Sequence, residues 1–185
     1  MASTTSTARL ATTPALRRLY VVRFAFAVAW AALLLVSGSD LTAWVRLLLV
    51  LYPAFDVAAA VVDASSARVA GPVKGLYVNM AVSALATAGV AVAGASGVAD
   101  VLRVWGAWAI LSGLVQLLVG VARRPLGGQW AMILSGGISA LAGASFIRSA
   151  AQDDPSLTTL AGYATLGGIF FLISSIRLPR PATKG

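Results

Sequence analysis

The sequence contains no cysteine, no histidine and no glutamate, and only 11% of its 185 residues are charged. Without cysteine there is no disulfide, no thiol nucleophile and no thiolate metal site. Without histidine there is no imidazole ligand, no histidine general base and no side chain that ordinarily titrates near neutral pH. Acid–base chemistry is left to six aspartates, four tyrosines and the basic residues. A Ser–Lys pair would have to use Lys74 or Lys184, which lie in a loop and a tail. No nucleophile–base spacing and no metal-ligand cluster stands out, so neither enzyme activity nor a cofactor is expected. The shortage of charge also excludes a water-soluble domain, whose composition is typically about 25% charged.

What fills the chain instead is six long apolar stretches, at Leu19–Val36, Ala43–Val62, Leu76–Gly94, Val101–Val121, Trp130–Ile147 and Leu157–Ile176. Each is about 18–21 residues long, enough at ~1.5 Å rise per residue to cross a hydrocarbon core of ~30 Å. The expected fold class is an all-α integral membrane protein with six transmembrane helices. The first stretch is expected to be a retained span: it is long for a signal-peptide core, and a second span follows within a few residues. Residues 1–16, rich in Ser, Thr and Ala, are expected to form a disordered tail. The membrane domain is placed at 17–178, with a short tail at 179–185.

Charge sets the orientation. Eleven of the fourteen basic residues fall on one side: Arg9, Arg17, Arg18 and Arg23, then Arg68 and Lys74, then Arg123 and Arg124, then Arg177, Arg180 and Lys184. The opposite turns hold Asp40, Asp100, Asp153 and Asp154, with Arg46, Arg103 and Arg148 near them as surface pairing partners. The positive-inside rule puts both termini in the cytoplasm, which requires an even number of spans. The net charge of +8 then points to anionic lipid headgroups at the cytoplasmic face, and not to nucleic acid.

The chain also repeats with a period near 55–56 residues. Ser83-Ala84-Leu85-Ala86 recurs as Ser139-Ala140-Leu141-Ala142, and Tyr52, Trp108 and Tyr163 align. Asp56-Val57, Ser112-Gly113 and Gly167-Gly168 align likewise. Three tandem helical hairpins follow, at about 18–68, 74–124 and 129–178. Small residues at Gly89, Gly106, Gly113, Gly136, Ala140, Gly143, Gly167 and Gly168 are expected to let helices approach closely, since lipid offers little hydrophobic drive for association.

The segments WGAWAILSGLVQLLVG (105–120), WAMILSGGISALAG (130–143) and YATLGGIFFLISS (163–175) resemble the HdeD-like acid-resistance membrane protein family. So does the aspartate of LYPAFDVAAAV (51–61), although Val57 stands where that family usually has glycine. The resemblance spans about residues 18–178. It implies a small bacterial inner-membrane protein of a stress or acid-tolerance type, with no catalytic residue to carry over. Partners of such a protein would be the bilayer, other membrane proteins or further copies of itself.

Asp56 is the sharpest single residue. An ionised aspartate at a helix centre costs about 2.5–3.5 kcal/mol to insert, so it must be paired, hydrated or protonated. If the first turn is centred at 39–40, Asp56 lies level with Arg23, and Asp63 near Arg17. Extending the register across the next turns brings Asn79 and Gln116 to the same depth. The expected layer is Arg23, Asp56, Asn79 and Gln116, acting as interhelical glue or as a hydrated path for protons or ions. Pro53, three residues before Asp56, lacks an amide donor and so frees a backbone carbonyl one turn earlier than itself, where a local kink would widen a cavity.

Overall fold

The computed structural model describes residues 3–38, 40–67, 74–122 and 130–177. They form six helices: α1 (Ser3–Ser37), α2 (Ala43–Ala67), α3 (Lys74–Ser96), α4 (Val98–Ala122), α5 (Trp130–Ser149) and α6 (Thr158–Arg177). All six are long and apolar enough to span a membrane. The protein is therefore a six-span helical membrane protein, and its lipid contact is legible in side chains that a soluble protein would bury. Leu85, Leu141 and Val92 are about three-quarters exposed on its outer surface. The basic residues Arg68, Arg123, Arg124, Arg180 and Lys184 lie outside the described residues.

The N-terminal segment departs from expectation. Instead of a disordered tail over 1–16, α1 is helical from Ser3 onward. The segment contains no glycine, and extending an existing helix avoids the nucleation cost that an isolated peptide faces. Elsewhere the turns follow simple chemistry. Gly38 ends α1 with φ +76°, and Gly97 joins α3 to α4 with φ +137°, both in the half of backbone space that glycine enters freely. The Thr42 hydroxyl accepts the Val45 amide at 3.2 Å and caps α2.

Helices adjacent in sequence pack side by side, and α6 returns to α1, closing a ring. Contact around the ring alternates. The pairs α2–α3, α4–α5 and α6–α1 are packed more extensively than α1–α2, α3–α4 and α5–α6. Helices joined by the acidic turns are thus held less by each other than by their outer neighbours. Glycine explains the tightest pair. Gly106, Gly113 and Gly120 on α4 recur every seven residues, as do Gly136 and Gly143 on α5, so each set lines one stripe over successive pairs of turns. A Cβ at Gly113 would stand 2.6 Å from the Gly136 carbonyl oxygen and 2.8 Å from the Ala140 nitrogen. At Gly143 it would stand 2.5 Å from the Gly106 carbonyl. Here backbone meets backbone. Gly89 faces Val104 on α4, and Gly168 faces Ala27 on α1 at 3.1 Å. Gly167, expected to pack with them, has nothing within 4 Å of its Cβ position. One residue turns a helix by about 100°, so Gly168 takes the contact and Gly167 faces away.

The fully buried apolar side chains gather in the half of the bundle next to the acidic turns. Trp30, Leu34, Val45, Leu49, Leu102, Trp105, Phe146 and Leu160 are 0–2% exposed there. At the centre, Trp30 of α1 stacks on Trp105 of α4 with ring centroids 5.4 Å apart. Trp108 meets Trp105 edge-on at 5.1 Å, and Tyr52 packs against both Trp30 and Trp105. These rings come from opposite sides of the ring of helices and plug its interior.

The acidic turns pair only in part. Asp100 and Arg103, one turn apart on α4, form an exposed ion pair. Asp40 does not pair with Arg46, whose aliphatic stem lies along Gly94 of α3, nor does Arg148 pair with Asp153 or Asp154. Exposed pairs contribute only about 0–1 kcal/mol, too little to override such packing. Arg103→Ala should accordingly shift the thermal unfolding midpoint in detergent by no more than such a pair contributes.

Candidate functional site

The half of the bundle holding the chain termini contains an ionic cluster built on α2. Helical spacing puts Tyr52 and Asp56 one turn apart on its inward face. Pro53 is fully buried between them, and α2 stays helical through it. The Asp56 side chain is 16% exposed and forms an ion pair with Arg23 of α1, itself 13% exposed. Its second carboxylate oxygen accepts from the Asn79 amide at 3.1 Å and from the Ser83 hydroxyl at 2.8 Å. Asn79 and Ser83 are four residues apart on α3 and so share a face. Ser83 is completely buried, and its oxygen also accepts the indole N–H of Trp108 at 3.1 Å. The cluster is thereby bonded directly to the aromatic plug.

The structure brings Arg23, Asp56 and Asn79 together and leaves Gln116 apart. Gln116 sits against α5 beside Gly136, and its carbonyl oxygen is buried with no hydrogen-bond partner. Equal depth does not fix rotation about the helix axis, and α4 turns Trp108, not Gln116, toward the carboxylate network. Arg17, expected near Asp63, donates its Nε–H to the Ser175 carbonyl of α6 at 3.1 Å.

Two participants were not anticipated, Ser83 and Phe171. Ser83 carried a signal: it opens the repeated Ser-Ala-Leu-Ala segment one turn beyond Asn79. The other copy behaves alike, for Ser139 hydrogen-bonds the Tyr163 hydroxyl at 2.9 Å, matching Ser83 with Trp108. Phe171 gave no local signal, because its role depends on α6 closing onto α1. Its ring lies beneath the Arg23 guanidinium, with the carbon 4.2 Å from the centroid. A cavity of about 20 Å³ adjoins the pair, lined by Arg23, Phe26, Tyr52, Phe55, Asp56 and Phe171. That is room for about one water molecule.

Among the described residues, no three of the Asp side chains cluster as a metal site. The arrangement can hold charge inside a membrane: a carboxylate with three donors, a guanidinium on an aromatic face, and a packed aromatic plug beyond. Compared with family models, with curated proteins and with solved structures, the chain matches none.

Proposed function

We propose that this is a non-enzymatic protein of the bacterial plasma membrane, of a stress or acid-tolerance type, acting through the bilayer or through other membrane proteins. In this reading the chain is three tandem hairpins with both termini in the cytoplasm. The basic residues beside the termini bind anionic lipid headgroups, and further copies or other membrane proteins are its partners. The HdeD-like segments and the one-sided basic residues support it. The observation that carries it is the pairing of Asp56. Its carboxylate is met by Arg23, Asn79 and Ser83, and the bundle beyond is filled by Trp30, Tyr52, Trp105 and Trp108. A carboxylate met by donors from two neighbouring helices is what interhelical glue requires, and a conduction path would need a continuous polar lining.

A second reading, a small conduit for protons or ions, draws on the cavity beside Arg23 and Asp56 and on the general rarity of intramembrane carboxylates. Proteoliposomes separate the two. Wild type and Asp56→Asn should both show proton and monovalent-cation flux no greater than empty liposomes at acid and neutral pH. Flux above that level in wild type, abolished in the variant, would overturn the non-conducting reading.

A further inference from the structure

The cavity beside Asp56 has the chemistry of a cation site, and the protein has placed one of its own cations there. Three rings form its wall without help from Arg23. Phe26 and Phe55 are stacked at 3.8 Å, and Tyr52 packs against Phe26 at 5.7 Å. The fourth ring, Phe171, rests on Tyr20 and carries the guanidinium on its face. A flat cation over an aromatic face and against a carboxylate is held by ring quadrupole and charge together.

The carboxylate is also oriented independently of Arg23. Asn79 and Ser83 hold one oxygen, which leaves the other, Oδ1, aimed at the guanidinium. Arg23 for its part is 13% exposed and makes few hydrogen bonds. A guanidinium has five N–H donors, and bidentate pairing is its strong mode. Among the described residues Arg23 donates to one acceptor, Asp56 Oδ1. A preformed box with a singly bonded occupant is the arrangement expected where that occupant gives way to a ligand of its own kind.

We propose that Asp56 and the rings of Phe26, Tyr52, Phe55 and Phe171 form a binding site for a flat monovalent organic cation of the guanidinium type, with Arg23 as its tethered occupant in this conformation. A free cation of this class competes with Arg23 for Asp56 Oδ1. The competition is unequal, because a tethered group acts at an effective concentration of about millimolar or above. The site is independent of whether the protein conducts ions, and its test reads binding alone.

The probe is methylguanidinium, titrated by calorimetry into the full-length protein in detergent against sodium chloride at matched ionic strength. Arg23→Ala should bind it saturably, at least tenfold more tightly than wild type. Adding Asp56→Asn to that variant should weaken binding at least tenfold, and adding Phe171→Ala should weaken it measurably. Arg23→Gln keeps an amide donor for Asp56 while removing the charge, and it should show the same gain if Arg23→Ala does not yield monodisperse protein. A response equal in wild type and the Arg23 variants overturns the proposal. So does binding that survives Asp56→Asn, or a heat signal that sodium reproduces.

Discussion

Replacing Gly113 by leucine is expected to destabilise the bundle strongly, through the α4–α5 interface. The new Cβ would lie 2.6 Å from the Gly136 carbonyl and 2.8 Å from the Ala140 nitrogen, and neither backbone atom can swing aside as a side-chain tip would. Overpacking usually costs about 1–3 kcal/mol, and a clash with backbone belongs at or above the upper end. For a chain of this size that corresponds to a Tm lowered by roughly 6–12 °C. Leucine is the better helix former by ~0.8 kcal/mol, so the loss has to come from the interface. Gly167→Leu is the matched control, because its Cβ position is open, and it should melt at or slightly above wild type. Thermal unfolding in detergent, followed by size-exclusion recovery after heating, compares the two. Equal melting of Gly113→Leu and Gly167→Leu would show that the α4–α5 approach is looser than described.

The second large effect is expected at the ion pair, and it should be strongly non-additive. Asp56→Asn removes the carboxylate that pairs directly with the Arg23 guanidinium, and breaking a buried pair from one side costs about 3–5 kcal/mol. Arg23→Met leaves a carboxylate that only Asn79 and Ser83 still hold. In the double variant Arg23→Met/Asp56→Asn no charge is left unpaired. The asparagine oxygen still accepts from Asn79 or Ser83, so most of the loss should be recovered. A coupling of about 2–3 kcal/mol is expected, near the top of the range for contacting residues. The same melts measure it. Additive losses would mean that Arg23 and Asp56 act separately, each satisfied by water.

Both predictions concern features visible in the sequence only to different degrees. Spacing alone was enough to put Arg23 at the level of Asp56, because two antiparallel helices joined by a tight turn share one register and the side-chain rise is constant. Asn79 followed by the same arithmetic across the next loop. Gln116 shows where that arithmetic ends. Depth is a property of one dimension, while contact also needs the rotation of α4 about its axis. That rotation is set by where Gly106, Gly113 and Gly143 allow backbones to touch. The same rotation separates Gly168, which packs on Ala27, from Gly167, which does not.

The sequence by itself therefore determined the environment and the elements. Six apolar runs and a scarcity of charge leave no alternative to a helical membrane domain, since each span must satisfy its own backbone hydrogen bonds in lipid. It also marked Asp56 as a carboxylate that needs partners. Only the tertiary structure decided which helices pair most closely, because a glycine stripe is silent until another backbone fills it. It alone put Phe171 under Arg23, through a closure of α6 on α1 between residues more than a hundred positions apart. And it set Trp30, Tyr52, Trp105 and Trp108 into one plug above the ion pair, where local patterning could place each ring along its helix but not the direction it faced.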